Sequence, residues 1–385
     1  MASLEPEALI GAARAQTRLS DFGSESFREG LGRLCSALER EAELTAAGRA
    51  ATGHRLAHLL ATRLGVVDWR RRHPEIAAQP VEAPVFVVGL PRTGTTALAA
   101  LLSQDPATRA LRTWESQRPL PPPEAASEHS DPRIAAAQAG IDAMCAAHPE
   151  WPAMYDGSAT HSTECQDLLG MDFRTWHFCG EYWIPSYDAW LRETDPTPTY
   201  RFHREVLELL HWRCPPRRWM LHAPIHTLYL DALERAYPDA RFVMTHRDPV
   251  PVLASTCSII GFVRSLSSER RDPQGLGREQ CAMWVEAMQT AIRFRARVGE
   301  ARFADLHFRE LDADPLGAIE RCYAVLGIPM TQAARAAIGA WAAAHRRGRR
   351  GRHAYRLEDY GLAAGAVREA FGFYLERFAP ALEAA

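Results

Sequence analysis

Lysine and asparagine are absent from this 385-residue chain, so its 45 permanently basic side chains are all arginines. Chemistry for which other proteins use lysine must here use arginine or histidine. The 8 cysteines are scattered and form no Cys-x-x-Cys pair, which argues against a disulfide framework and a zinc site. A formal net charge of -2 argues against a general nucleic-acid binder.

Long apolar runs are also missing, and none approaches membrane-spanning length. The N-terminal residues lack the basic-then-apolar pattern of a signal peptide. We therefore expect a cytoplasmic protein without a membrane span. A hydrophobic content of 47% is sufficient for a sizeable core.

The order of helical and strand-like patterns predicts the fold class. Residues 1–80 are rich in Ala, Leu, Arg and Glu and predict an N-terminal helical layer. Residues 81–385 predict an α/β domain with a helical insertion at about 115–216. Within that domain, strand-like runs that are followed by helical patterns occur at Val85–Leu90, Trp219–His222, Arg241–His246 and Phe303–Phe308. Repeated strand–helix units predict a mainly parallel, P-loop-like sheet flanked by helices on both faces.

The insertion is rich in aromatic residues, among them Trp176, Phe178, Tyr182 and Tyr187. For most of these side chains we expect a place in the core, although an insertion of this kind can also cap a site. Glu164 and Asp167 precede or begin a predicted helix, where capping is the favoured interpretation and recognition of an acceptor is the alternative.

The segment Gly89–Thr96 contains the most specific local pattern. It follows an apolar strand and precedes a helix, and such a turn presents backbone N–H groups to an anion. Its spacing resembles the phosphate loop of nucleoside triphosphatases, but Thr95 stands at the position of the usual lysine. The only cation in the loop is Arg92. A tight turn with a threonine cap is the alternative, and the combination of Gly94, two threonines and Arg92 favours phosphate binding.

A second pattern of this kind follows the strand Arg241–His246. Asp248 and Pro249 are suitable for a helix start directly after Arg247, and Ser255 lies about two helical turns further on. On its own, this pattern predicts a salt-bridged helix cap. Together with the first loop, it predicts a second anion pocket at the carboxyl ends of the strands.

The ordered set of motifs resembles the superfamily of sulfotransferases that use 3′-phosphoadenylyl sulfate (PAPS), and most closely its bacterial branch. The resemblance covers most of the chain. It is found at Gly89–Thr96, Thr113–Glu115, Trp219–His226, His246–Ser255, Asp312–Pro315, Gly351–Tyr355 and Leu357–Leu362.

The resemblance implies specific donor-binding residues. The loop from Arg92 to Thr96 is expected to bind the 5′-phosphosulfate, while Arg247 and Ser255 bind the 3′-phosphate. The basic segment around Arg349 to Arg352 is similar to the family's lid over that phosphate, with a solvated charge run as the alternative. The expected donor-binding residues are thus Arg92, Thr93, Gly94, Thr95, Thr96, Arg247, Ser255, Arg349 and Arg352.

Four residues are candidates for catalysis. Arg92 is expected to stabilise the transferring group, and Glu115 resembles a catalytic glutamate of one branch, with an ion-paired glutamate as the alternative. His226 is similar to a histidine that is common in this branch, and a core or capping histidine is its alternative. His222 stands where relatives usually have lysine. Either it is protonated beside the donor, or Arg92 carries the cationic role alone.

The resemblance implies transfer of a sulfuryl group from PAPS to a hydroxyl of a small-molecule, lipid or glycan acceptor. Adenosine 3′,5′-bisphosphate (PAP) would be the other product, and no metal is expected. The oligomeric state, including a homo-oligomer, stays open. Two other functions are a P-loop nucleotide kinase or NTPase, and a catalytically silent nucleotide-binding protein.

Overall fold

The structure is a computed structural model, and it describes residues 3–155, 157–216, 218–345, 355–380 and 382–383. Its centre is a parallel sheet of five strands in the order β2-β3-β1-β4-β5. Numbered along the chain, the strands are β1 (Val85–Gly89), β2 (Thr108–Ala110), β3 (Arg218–His222), β4 (Arg241–His246) and β5 (Phe303–His307). The predicted parallel sheet is confirmed, and β2 is the strand that the sequence did not predict.

Strand β1 lies in the middle of the sheet, and all of its residues are buried. Phe86 and Val88 belong to the hydrophobic core on one face, whereas Val85 and Val87 belong to the core on the other. Because both faces are covered, the strand has no polar side. This explains why its sequence is a continuous apolar run instead of an alternating one.

Helices cover the two faces of the sheet in the part of the chain that the structure describes. They are α1 (Pro6–Thr17), α2 (Phe27–Glu41), α3 (Ala46–Arg72), α4 (Thr95–Leu102), α5 (Thr113–Gln117), α6 (Pro132–Ala147), α7 (Trp151–Met154), α8 (Gln166–Gly170), α9 (His177–Glu181), α10 (Pro185–Glu193), α11 (Thr197–His211), α12 (Leu230–Ala236), α13 (Pro249–Ser265), α14 (Pro273–Val298), α15 (Phe308–Ala313), α16 (Pro315–Val325), α17 (Gln332–Ala344), α18 (Ala364–Ala370) and α19 (Gly372–Phe378). Among these described helices, none is both long and apolar enough to cross a bilayer.

The predicted helical N-terminal layer is present as helices α1 to α3. These helices share a hydrophobic core with the sheet: Leu34 and Leu38 of α2 and Leu56 and Leu60 of α3 belong to the same cluster as Phe86 of β1. The layer is therefore packed onto the α/β core. A domain boundary at residue 80 stays a prediction.

Most aromatic side chains of the insertion belong to the core, as expected. Trp176, Phe178, Tyr182 and Tyr187 are each at most 5% exposed and lie in the core that also contains the N-terminal helices. Their main effect is to bury apolar area between the insertion and the rest of the protein.

The strand order locates the crevice in which an α/β sheet binds its ligands. From β1 the chain continues to β2 on one side of the sheet, and from β4 it continues to β5 on the other. Neighbouring strands whose connections leave in opposite directions form a switch point, and ligands bind at the carboxyl ends of the strands there. The segments that follow β1 and β4 are the two that contain the predicted anion-binding residues.

Candidate active site

The loop Gly89–Thr96 connects β1 to α4 at this switch point. Its backbone has positive φ at three positions: 117° at Gly89, 58° at Arg92 and 89° at Gly94. Glycine adopts such conformations freely. Arg92 adopts a left-handed backbone at a cost of about 1–2 kcal/mol, and strained residues of this kind cluster at ligand-binding sites.

Three threonine hydroxyls hold the loop in shape. The Thr227 hydroxyl accepts a hydrogen bond from the Gly89 N–H (2.8 Å) and donates to the Gly89 carbonyl (3.0 Å). The Thr93 hydroxyl donates to the Leu90 carbonyl (2.7 Å) and lies 2.6 Å from the Thr245 hydroxyl. Thr93 is fully buried. Its side chain therefore holds the loop in shape, and its part in donor binding stays a prediction.

At the end of the loop, Gly94 has no side chain, so a ligand can approach the backbone closely. Thr95 and Thr96 form the first turn of α4, which begins directly after Gly94. A Cβ at Gly94 would lie 3.2 Å from the Phe308 ring, so the position is tight for any larger residue. The first N–H groups of a helix have no partner within the helix and attract anions. This geometry suits a phosphate or a sulfate.

We predict that Gly89→Ala destabilises the protein. A Cβ at Gly89 would lie 2.6 Å from the Thr245 carbonyl oxygen, and its φ is unfavourable for alanine. The free energy of unfolding should fall by more than about 1 kcal/mol. Urea denaturation measures this, with Gly140→Ala as the matched control. A Cβ at Gly140 meets no atom within 4 Å, and the helix α6 should gain about 0.5–1 kcal/mol from alanine. Equal midpoints for the two variants would contradict the prediction.

The second predicted element lies beside the loop because β4 pairs with β1, with Thr245 opposite Gly89. Helix α13 begins as the sequence predicts. The Asp248 carboxylate accepts a hydrogen bond from the Val250 N–H at 3.0 Å, and Pro249 occupies the first helical position. Arg247 directly precedes the cap residue Asp248, and this helix start places Arg247 beside the loop.

Arg92, Arg247 and Ser255 are in direct contact. Arg247 Nη1 donates to the Arg92 carbonyl at 3.0 Å, and Arg92 Nε donates to the Ser255 hydroxyl at 3.0 Å. The charge of Arg247 also lowers the pKa of Arg92, so the two guanidinium groups lie within electrostatic reach of each other. Like charges repel, so this arrangement is most stable when an anion lies between or beside them.

Arg247 is held by an aromatic ring and by a carboxylate. Its guanidinium lies 4.1 Å from the centroid of the Phe308 ring. Its Nε and Nη2 donate to the two carboxylate oxygens of Glu383, at 2.7 and 2.9 Å. The Glu383 N–H in turn donates to Asp248 at 2.8 Å, and Arg368 donates to the Glu383 carbonyl at 2.9 Å. The fork of Arg247 thus already binds one planar anionic group in bidentate geometry.

Burial of Arg92 lowers the pKa of its guanidinium, and the neighbouring charge of Arg247 acts in the same direction. Tyr355 and Glu164 oppose this effect. Arginine stays protonated in proteins even when its pKa falls. The loop therefore presents a half-buried, permanently charged donor, whose interaction with an anion is stronger than it would be in water.

Both candidate histidines are buried. His222 is 2% exposed, neither of its ring nitrogens has a hydrogen-bond partner among the described residues, and burial lowers its pKa to about 4. His226 is fully buried, its Nδ1 lies 2.7 Å from the Tyr200 hydroxyl, and burial places its pKa well below the usual range. Burial therefore disfavours the charged form of both rings. This favours the alternative in which Arg92 carries the cationic role alone.

Glu115 is ion-paired, which is the alternative that the sequence left open. It is fully buried, and one carboxylate oxygen binds Arg109 and also Arg112, the latter at 2.9 Å. The other oxygen accepts from the Arg112 N–H at 3.2 Å. With both oxygens engaged and no exposed surface, these contacts support a structural role for Glu115.

Glu164 and Asp167 do not cap α8, which corrects the favoured interpretation of their positions. Helix α8 begins at Gln166 without a side-chain cap. The Asp167 carboxylate instead accepts hydrogen bonds from Ser116 (3.2 Å) and Arg55 (3.4 Å). The Glu164 carboxylate accepts one from the Gln166 side chain and lies within electrostatic reach of Arg92.

Not every predicted residue can be placed. Arg349 and Arg352, the basic residues predicted to cover the 3′-phosphate, lie outside the described residues. Sequence reasoning in turn missed Thr227, Thr245 and Glu383. The first two are single hydroxyls in buried segments, and Glu383 is distant in sequence from every motif, so no local pattern marked them.

The fold and the site together define an α/β protein with a phosphate-type loop and a second arginine pocket at the switch point. The chain belongs to the sulfotransferase family, because the model described as "Sulfotransferase family" matches residues 84–332, which is more than half of the chain.

Solved structures of this family resemble the whole chain. Sulfotransferase STF9 from Mycobacterium avium is 30% identical with a TM-score of 0.91, and the match covers 98% of both chains. Sulfotransferase STF1 from Mycobacterium tuberculosis H37Rv is 32% identical with a TM-score of 0.85, over 95% of this chain and 98% of that one.

A curated relative has a named substrate. The Mycobacterium bovis protein "Omega-hydroxy-beta-dihydromenaquinone-9 sulfotransferase Stf3" is 24% identical over 290 residues. The match covers 68% of this chain and 66% of the relative, so the chain spans just under two thirds of that protein's length.

Proposed function

We propose that this chain transfers a sulfuryl group from PAPS to a hydroxyl group and releases PAP. The observation that carries the proposal is the contact between Arg92 and Arg247, whose guanidinium groups come from neighbouring strand ends at the switch point. A donor with two separate phosphate ends places one on each guanidinium. ATP has a single phosphate chain and no second end for Arg247.

The residues present fit such a donor. The loop offers the backbone N–H groups of an α-helix start, the guanidinium of Arg92 and the close approach that Gly94 allows. Arg247 holds the Glu383 carboxylate with two parallel hydrogen bonds, and a guanidinium binds phosphate oxygens with the same geometry. Ser255 lies beside Arg92 and can donate its hydroxyl to the 3′-phosphate.

Positioning and electrostatics are the contributions that this site can make to catalysis. Sulfuryl transfer resembles phosphoryl transfer, in which in-line geometry and charge stabilisation supply most of the rate enhancement. Because burial disfavours the charged form of His222, Arg92 is the cation placed to stabilise the oxygens whose charge grows in the transition state. A transferring group with less charge than a phosphoryl group needs less neutralisation, and we expect no metal requirement.

The acceptor class that we propose is a lipid or another apolar molecule with a terminal hydroxyl. Support comes from the substrate in the name of the relative Stf3 and from an aromatic group near the site. Phe262 of α13 stacks on Trp151 (5.4 Å) and packs edge-on against His148 (5.5 Å). Phe262 lies seven residues beyond Ser255, about 10 Å along the helix. These rings are half-buried, as the wall of an apolar channel would be.

Calorimetric titration tests the donor. PAP is expected to bind the full chain saturably in a buffer that contains EDTA, and 5′-AMP, which lacks the 3′-phosphate, should bind more weakly. Binding of PAP that requires magnesium, or equal affinity for PAP and 5′-AMP, would contradict the two-pocket assignment. Magnesium-dependent turnover of ATP would instead support a kinase or NTPase. Binding of PAP without transfer of labelled sulfate to any hydroxyl probe would support a silent nucleotide-binding protein.

A further inference from the structure

The segment that contains Glu164 runs along the carboxyl ends of two strands. The Thr163 N–H donates to the Leu111 carbonyl just after β2 at 2.8 Å, and the Cys165 N–H donates to the His222 carbonyl at the end of β3 at 3.0 Å. Glu164 lies between these two anchors. Its backbone is therefore fixed at the edge of the sheet where the donor is proposed to bind.

Two observations indicate that the side chain of Glu164 can act in the site. Gln166 donates to Oε2 of the carboxylate, and among the described residues Glu164 has no hydrogen bond to Oε1 and no ion pair. The charges of Glu164 and Arg92 each shift the pKa of the other, so the two groups lie within electrostatic reach. Glu164 is half-buried, and Oε1 is not among the buried side-chain atoms that lack a hydrogen-bond partner in the described residues.

We propose that Glu164 is the general base that takes the proton from the acceptor hydroxyl. This assignment rests on the proposed sulfuryl transfer. A general base must lie beside the reacting groups and keep a lone pair free. Glu115 fails because its oxygens bind Arg109 and Arg112. His226 fails because it is fully buried and bonded to Tyr200.

The remaining competitor is His222, which is only 2% exposed, whereas Glu164 is half-buried and within reach of an acceptor. Burial lowers the pKa of His222 to about 4, so its ring binds a proton weakly. Burial raises the pKa of the Glu164 carboxyl, although Gln166, His177 and Arg92 oppose the shift. A base whose conjugate acid has the higher pKa accepts a proton more readily. The groups that face Glu164 are Gln166, Arg92, His177 and Cys165. The His177 ring contacts Arg55 and Glu181, and burial raises the pKa of the Cys165 thiol, which keeps it protonated.

The step balances as follows. The acceptor O–H bond breaks and its proton moves to an oxygen of Glu164. The acceptor oxygen forms a bond to sulfur, and the bond between sulfur and the bridging oxygen of the donor's 5′-phosphate breaks. The electron pair of that bond stays on the phosphate oxygen beside Arg92, and PAP leaves. Glu164 then returns its proton to water.

Glu164→Gln tests the assignment because it keeps the shape of the side chain and removes the base. The probes are ³⁵S-labelled PAPS with 2-naphthol, with farnesol, and with water alone, for which release of labelled sulfate is measured. We expect kcat to fall by about 10²–10⁴-fold on any probe that the wild type turns over. The affinity for PAP should stay unchanged or rise, since a negative charge beside the phosphates is removed. Asp167→Asn, three residues away and paired with Arg55, is the matched control and should keep kcat within about threefold.

Two further readouts separate a base from a structural glutamate. The kcat of the wild type should rise with pH as the carboxyl loses its proton, with a midpoint above about 4.3, the ordinary value for glutamate. The variant should lose that dependence. In Glu164→Ala, added formate should restore part of the activity, because a small carboxylate can enter the space and accept the proton.

The results that would overturn the assignment are distinct from those against the function itself. Failure of the wild type to bind PAP overturns the proposed function and the base together. If the wild type binds PAP and Glu164→Gln keeps the wild-type kcat, the proposed function is retained, but Glu164 is not the general base. If Glu164→Gln does not fold, Glu164→Asp takes its place: wild-type kcat in this variant, whose carboxylate is retracted by one methylene, would also overturn the assignment.

Discussion

Arg92→Ala is expected to lower turnover by about 10²–10³-fold, the loss seen when one charge-stabilising donor is removed from a transition state. The physical reason is specific to this chain. Burial lowers the pKa of His222 to about 4 and so disfavours its charged form, which leaves no second cation there to replace Arg92. The effect should appear in kcat at saturating donor, measured with labelled PAPS as above.

A matched control for Arg92 exists within the chain. Arg18 is exposed and has φ of 59°, close to the 58° of Arg92. Arg18→Ala removes an exposed arginine with the same backbone geometry at the end of α1, outside the proposed site, and should leave kcat unchanged. Arg92→Lys should recover part of the activity, because it restores charge without the planar fork. Unchanged turnover in Arg92→Ala would show that Arg92 does not stabilise the transition state.

Arg247→Ala is expected to weaken PAP binding by about 30-fold or more, the equivalent of about 2 kcal/mol for loss of one partner of a buried charge pair. The affinity for 5′-AMP should change little, since that nucleotide has no 3′-phosphate. Glu383→Gln should act in the opposite direction. Its carboxylate occupies the fork of Arg247, and removal of the charge removes a competitor.

The two substitutions form a cycle that isolates this contact. In the Arg247→Ala background, Glu383→Gln should have no further effect on PAP affinity, because the fork for which the carboxylate and the phosphate compete is gone. Isothermal titration of the wild type, the two single variants and the double variant with PAP and with 5′-AMP measures every affinity that the cycle requires. An equal loss of affinity for both nucleotides would show that Arg247 acts through its contact with the Arg92 carbonyl and not on the 3′-phosphate.

Much of the sheet could be predicted because most of its strand residues are buried. Strands β1, β3 and β4 contain continuous runs of buried residues, most of them apolar. In β5 the exposed Asp305 interrupts the buried residues, but a helical pattern follows this strand as it follows the others. Strand β2 has only three residues, Thr108–Ala110, two of them partly exposed. It exists because β3 offers a free edge, and pairing of this kind leaves no local pattern in so short a segment.

The site was only partly predictable for a similar reason. The loop and Arg247 have local signals, namely glycines at special backbone positions and a helix cap after a strand. The ion pairing of Glu115 depends on Arg109, which β2 places beside it. The pKa of His222 depends on its burial. Spacing along the chain cannot supply either fact. The same holds for Glu164, whose position becomes informative only once Cys165 is seen to pair with His222.

The most direct test of sulfuryl transfer is to follow the label of ³⁵S-PAPS with the wild-type chain in the presence of EDTA, using farnesol and 2-naphthol as acceptors. We predict that the label moves to an acceptor hydroxyl and that PAP forms in equal amount without magnesium. Retention of the label on PAPS by a protein that binds PAP normally, with every acceptor tested including a lipid extract, would contradict the proposed activity.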